Sequence, residues 1–217
     1  AREELEQRLQ QKTQAAEQAA EALSKLRQEA ARRFVNSVRE ELRFLDMPHV
    51  KLGVHFERGE LYDKGNDYLE FLISTNPGEP PKPLAKIASG GELSRIMLAI
   101  KNTMADKDDI PTLIFDEIDT GVSGRAAQKI GLKLRQVSQN RQVLCVTHSA
   151  QVAALADTHF LIAKTVEGDR TFTKVTPLDF EGRKQELARI MGTDHITDLM
   201  LQNAEQMLKA GQNPQGS

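Results

Sequence analysis

Through residues 1 to about 45, Leu5, Leu9, Ala16, Ala19, Leu23, Leu26 and Ala30 recur in alternating steps of four and three, with Lys12 as one polar interruption. That is an a/d stripe, and the other faces, rich in Glu, Gln, Lys and Arg, are too polar to be buried. The segment contains no Gly or Pro. It predicts a coiled-coil helix, and its small alanines make a seam that needs a partner helix. The stripe starts in mid-pattern without a capping residue, so the expectation is the end of a longer arm.

Beyond Asp46-Met47-Pro48, where proline is expected to end the helix, the period changes. Val50 to Phe56 alternates like a half-buried strand and Tyr68 to Thr75 reads as a second one. Asn76-Pro77-Gly78 has Pro and Gly where a type II turn wants them. A Pro-rich loop, 79–83, follows. From Ser89 the pattern becomes helix, strand, helix, strand, which implies a parallel sheet with crossover helices and an α/β fold. The expected organisation is an arm at 1–45, a lobe at 46–210 and a flexible polar tail at 211–217.

Composition narrows the function classes only a little. A net charge of −2 gives no global basic field for nucleic acid, though a local patch is compatible with it. Cys145 is the one cysteine and sits in the apolar run Val143 to Val146, so it reads as a small buried hydrophobe in a reducing compartment. No apolar run is long enough to span a bilayer, and the expected location is the cytoplasm, without a membrane partner. The five histidines have no partners at metal-ligand spacing, which excludes a zinc site.

Three short strings carry the chemistry. Ala88-Ser89-Gly90-Gly91-Glu92 stands before a helix with Leu93, Ile96, Met97, Ile100 and Met104 on one face. Ser89 and Glu92 have capping-box spacing, which alone explains them; two glycines beside the cap also expose backbone N–H groups at the positive helix end, where phosphate binds. Leu113-Ile114-Phe115 reads as a central parallel strand ending in Asp116-Glu117, where α/β sheets bind ligands. Asp116 suits a Mg²⁺ ion held through water, and Glu117 suits the orientation of an attacking water. Asp119, Thr120, Gly121 and Ser123 then form a polar loop before a helix expected near Gly124. His148 follows 32 residues after Asp116, an interval for strand, helix and adjacent parallel strand, so it should emerge on the same rim. No G-x-x-x-x-G-K-[ST] phosphate loop occurs, because no Gly precedes a Lys.

In this order the strings resemble the signature, Walker B, D-loop (Asp119) and switch-histidine elements of ABC-type ATPases. The longer runs 88–101, 114–124 and 70–79, with the helix around Asn203-Ala204, are similar to the RecN family of bacterial DNA-repair proteins, relatives of the SMC proteins. The resemblance reaches from the heptad arm to about residue 210. It implies the C-terminal lobe of a split ATPase head with the end of its returning coil, the phosphate loop lying on an N-terminal lobe. It further implies ATP and Mg²⁺ as cofactors and a homodimer of heads closing over two nucleotides. Ser89, Gly90, Gly91 and Glu92 would meet the nucleotide of the opposite subunit. Asp116, Glu117 and His148 would serve their own, with Asp119 along the seam. DNA ends or segments would be the partner.

Other readings differ in class. A non-catalytic coiled-coil module with a vestigial pocket has no physical need for the Asp116-Glu117 pair. An ABC transporter subunit conflicts with the heptad arm, and the head of another SMC-family protein shares the same motifs. Arg32, Arg33, Arg39 and Arg43 form a basic run suited to DNA phosphates, although solvated helix faces commonly carry such charges. Arg95 and Lys101 are expected at exposed helical positions near the dimer seam.

Overall fold

The computed structural model describes residues 2–86, 90–105, 109–122, 124–168, 170–192 and 195–212. Ser89 and Ser123, both singled out above, and tail residues 213–217 lie outside the described residues. The chain forms two compact units, residues 1–88 and 89–217.

In the first unit, helix α1 spans Arg2–Phe44. It has two apolar faces with different fates. Ala20, Ser24, Val38 and Leu42 are buried, against strands β1 (Lys51–Tyr62) and β2 (Gly65–Ser74). Three of the four heptad leucines stay uncovered, Leu5, Leu9 and Leu26 at 65%, 68% and 64% exposure, while Leu23 is half-buried. The helix ends four residues before Pro48, and by its own bonds. Asp46 adopts φ 58°, the Asp46 and Met47 amides donate to Arg43 O and Leu42 O, and the paired bonds make a Schellman cap.

Strands β1 and β2 pair antiparallel from Lys51↔Ser74 to Arg58↔Asp67, and β2 pairs with the short β3 (Lys82–Pro83), giving the order β1-β2-β3. A single 3₁₀ turn, Leu84–Lys86, follows. The expected type II turn is present: Gly78 has φ 87° and the Glu79 amide donates to Asn76 O at 3.3 Å. One polar cluster ties helix to hairpin. Ser24 Oγ donates to Asp67 Oδ1 at 2.8 Å and Arg27 Nη1 to Asp67 Oδ2 at 3.2 Å, with Ser24 and Asp67 both buried. A T-shaped Phe34–Phe71 contact at 5.7 Å lies further along the same seam.

The second unit begins with α2 (Gly90–Thr103), then β4 (Thr112–Phe115), α3 (Gly124–Val137) and β5 (Gln142–Cys145). Strands β4 and β5 pair parallel and in register, Phe115 opposite Cys145, with α3 as the crossover. Next come α4 (Ala150–Ala153), β6 (His159–Glu167), β7 (Arg170–Leu178), α5 (Phe180–Met191) and α6 (Asp198–Gln212). The α/β class holds. Among the described residues, however, parallel pairing is confined to β4 and β5, and β6 and β7 form an antiparallel hairpin that the sequence reading did not foresee.

A small-residue core of Ala150, Ala153, Ala154, Leu187, Ala188, Ala204 and Leu208 lets α4, α5 and α6 approach closely. Buried Arg183 reaches across to cap α4, donating to Ala156 O at 2.7 Å and Ala153 O at 3.3 Å. Helix α6 continues through Gln212, so the first two residues of the expected tail are helical. A Cβ at Gly211 would lie only 2.4 Å from Ala154 O.

Replacing Asp67 by Ala should destabilise the first unit by about 2–4 kcal/mol, because it strands the Ser24 hydroxyl and the Arg27 guanidinium in a mostly buried site. Urea denaturation followed by circular dichroism measures this, and a loss below about 1 kcal/mol would mean that the cluster contributes no more than an ordinary hydrogen bond.

Candidate functional site

The parallel register fixes where the acids and the histidine emerge. Val146 N donates to Phe115 O at 2.9 Å, so the pairing continues to the carboxyl ends of both strands. Asp116 and Glu117 leave β4 exposed there, and two residues past Val146 the His148 side chain is 77% exposed. The rim faces solvent.

Glu117 has φ 55°, in the left-handed region that non-glycine residues seldom enter. It opens a tight turn closed by Thr120 N donating to Glu117 O at 3.1 Å. Inside that turn Ile118 and Asp119 are buried, at 0% and 3% exposure. Asp119 therefore points inward rather than along an open seam. Its Oδ2 accepts from Thr147 Oγ1 at 2.5 Å and from the His148 amide at 3.1 Å, and lies 3.6 Å from His148 Nδ1. One carboxylate thus ties the turn after β4 to the turn after β5.

Helix α2 presses its first turn onto the same structure. A Cβ at Gly91 would lie 3.0 Å from Glu117 O and 3.1 Å from Thr120 O, and a Cβ at Gly90 would meet the Glu117 carboxylate at 2.4 Å. Gly91 is glycine for close backbone approach, quite apart from any phosphate. Glu92 sits half-buried in the first turn of α2. Ser94 Oγ donates to Asp116 O at 2.8 Å.

Arg95 corrects the sequence reading. It is 7% exposed, and its Nη1 donates to Ile118 O at 3.1 Å and Thr120 O at 3.0 Å. Burial lowers the guanidinium pKa from its ordinary value, against the raising influence of Glu92 and Asp119. Its i+4 spacing from Gly91 was the available signal, since both lie on the helix face that meets the turn. Thr147 and Ser94 were also missed; nothing in their local pattern distinguishes them. Burial, with the charges of Asp119 and Asp116, pushes the Cys145 thiol up to about 12, so it is an inert packing group at neutral pH.

No protein-family model matches the chain. The fold is similar to a crystal structure of an Smc head domain with a coiled coil and joint derived from Pyrococcus yayanosii, with a TM-score of 0.54 and 20% identity over 77% of this chain and 30% of that one. The class is therefore that of an SMC-type head fold. Sequence relatives define it further. The chain is 43% identical over 210 residues to the DNA repair protein RecN of Halalkalibacterium halodurans, covering 94% of this chain and 37% of that protein. It is 43% identical over 203 residues to the DNA repair protein RecN of Bacillus subtilis, covering 86% and 35%. Over most of its own length the chain is thus similar to RecN proteins, and it spans a little over a third of the length of the curated relatives it matches.

Substituting Gly91 by Ala should cost roughly 1–3 kcal/mol of stability without any nucleotide present, since the methyl must push α2 off the carbonyls of the turn. Thermal unfolding reads this directly. An unshifted melting temperature would leave anion binding as the sole reason for glycine there.

Proposed function

We propose that this chain is the C-terminal part of an SMC-like ATPase head acting in DNA double-strand-break repair and recombination in the cytoplasm, with the arm at 1–45 and the lobe at 46–210. The observation that carries the reading is the exposed rim where Asp116, Glu117 and His148 meet beside the glycine-bearing tip of α2.

ATP with its Mg²⁺ supplies the transferred phosphoryl group and the cation that offsets its charge. Among the described residues no group of three or more His, Cys, Asp or Glu could hold a metal ion. Asp116 would hold the ion through water, with phosphate oxygens supplying further ligands, as is usual for Mg²⁺. Glu117 would orient the attacking water and accept its proton, while His148 would hold the terminal phosphate. Ser89, Gly90, Gly91 and Glu92 would offer a helix tip to the nucleotide of a second copy. Asp119 would act through His148.

An uncovered sheet face supports a missing N-terminal lobe. Ile114 and Leu144 are register partners in a parallel pair, yet they are 71% and 44% exposed, and Val146 is 52% exposed. Parallel strands are ordinarily covered on both faces. The uncovered heptad leucines of α1 likewise suit a second helix of an antiparallel coil. For DNA, the basic run divides: Arg33 and Arg43 pair with Glu29 and Glu40, whereas Arg32 and Arg39 line a trough of about 580 Å³ beside β1 with Val54 and Phe56. Phosphates would meet those two arginines. Among the described residues no helix is long and apolar enough to cross a membrane.

In the complete protein, Glu117→Gln should reduce ATP turnover by roughly a hundredfold or more while ATP-dependent dimers persist in sedimentation analysis. Unimpaired turnover would remove Glu117 as the base. The chain by itself should neither bind ATP tightly nor hydrolyse it, and activity should return when the N-terminal lobe is supplied; turnover by the highly purified chain alone would sink the composite-site reading.

A further inference from the structure

The side chains that organise the rim do not lie on it. Glu117 is held in a left-handed conformation at φ 55°, and the turn it opens has only one internal backbone bond, Thr120 N to Glu117 O. The carbonyls of Ile118 and Thr120 both accept from Arg95 Nη1, at 3.1 and 3.0 Å. A guanidinium is an expensive group to bury, and its Nε has no hydrogen-bond partner among the described residues. A buried cation bridging two carbonyls of one four-residue turn fixes the geometry of that turn.

The contacts then continue. Asp119, inside the clamped turn, accepts from Thr147 Oγ1 and from the His148 amide. Thr147 Oγ1 in turn accepts from the Ser149 amide at 3.0 Å, at the start of α4. From α2 to His148 the path is Arg95, the 117–120 turn, Asp119 and Thr147. Every link is a hydrogen bond involving a side chain that is buried or half-buried. These bonds join α2 both to the Glu117 turn and to the His148 turn.

We infer that Arg95 is a positioning residue: it locks the turn bearing Glu117 and Asp119 to helix α2, and through Asp119 and Thr147 it sets the His148 turn. The inference rests on the reading of Glu117 and His148 as hydrolytic residues, and it adds regulation to that site, because whatever engages the tip of α2 also adjusts the groups that perform the chemistry.

The test uses the complete protein with Arg95→Met, which keeps an apolar stem and removes both hydrogen bonds. Arg95→Lys serves as the milder variant, retaining charge but falling one bond short. Hydrogen–deuterium exchange should quicken in peptides covering 117–120 and, distant in sequence, at the His148 amide that donates to Asp119. The kcat for ATP should fall roughly ten- to a hundredfold while KM stays within about twofold, since groups are misplaced rather than lost. Arg95→Lys should restore part of kcat. Global destabilisation would instead quicken exchange throughout, and that pattern, or unchanged exchange at 117–120 and 148 in both variants, overturns the clamp. Faster local exchange with wild-type kcat overturns the positioning role. Glu117→Gln assayed in parallel tells whether the hydrolytic reading has failed with it: if that variant also turns over normally, the fault lies in the site assignment.

Discussion

In-register parallel pairing of β4 with β5 is the constraint on which the rest of the second unit depends. With Phe115 opposite Cys145, both strands end at the same level, and the next residues of each enter turns on one rim. A slip of one residue would turn the strand's alternate side chains onto the other face and move the acids away from the histidine turn. The register is held by alternation of buried and exposed positions: Leu113 and Phe115 are 8% and 6% exposed while Ile114 between them lies open. One sheet face is packed within this unit, and the other is apolar and exposed at Ile114 and Leu144.

Given that rim, its working geometry is set from behind. The turn at 117–120 has an unfavourable backbone angle at its first residue, and such angles persist only when surrounding groups over-determine them. Here Gly91 allows backbone contact, Ser94 holds Asp116 O, and Arg95 bridges two carbonyls of the turn. The exposed residues of the site, Asp116, Glu117 and His148, have freedom in their side chains and little in their backbone. Asp119 is the reverse case, a buried acid whose Oδ2 is engaged internally in joining two loops.

The first unit solves a different problem. A 43-residue helix cannot be held by a small hairpin along its full length, and its buried positions run only from Ala20 to Leu42. The Ser24–Asp67–Arg27 cluster places one demanding polar interaction near the far end of that contact; buried Ala20 and the Glu21–Arg58 pair lie just beyond it, and residues 2–19 are exposed. Buried polar groups of this kind set register better than they add stability, because any other alignment leaves them unpaired.

By itself, the sequence determined what depends on local pattern. The heptad helix, the type II turn at Asn76 to Glu79, the β4–α3–β5 crossover and the emergence of Asp116, Glu117 and His148 on one edge all follow from periodicity, turn chemistry and chain length. Only the tertiary structure decided which polar groups face inward. Arg95 on a helix and Asp119 in a polar loop carry the local signature of solvent, yet both are buried, where carbonyls and amides distant in sequence bond Arg95 Nη1 and Asp119 Oδ2. The β6–β7 hairpin was equally illegible: its exposed Phe160, Ile162, Val166 and Val175 break the apolar alternation of a half-buried strand. Partners supplied from far along the chain leave no periodic trace, so burial of a charge becomes visible only once the fold has brought them together.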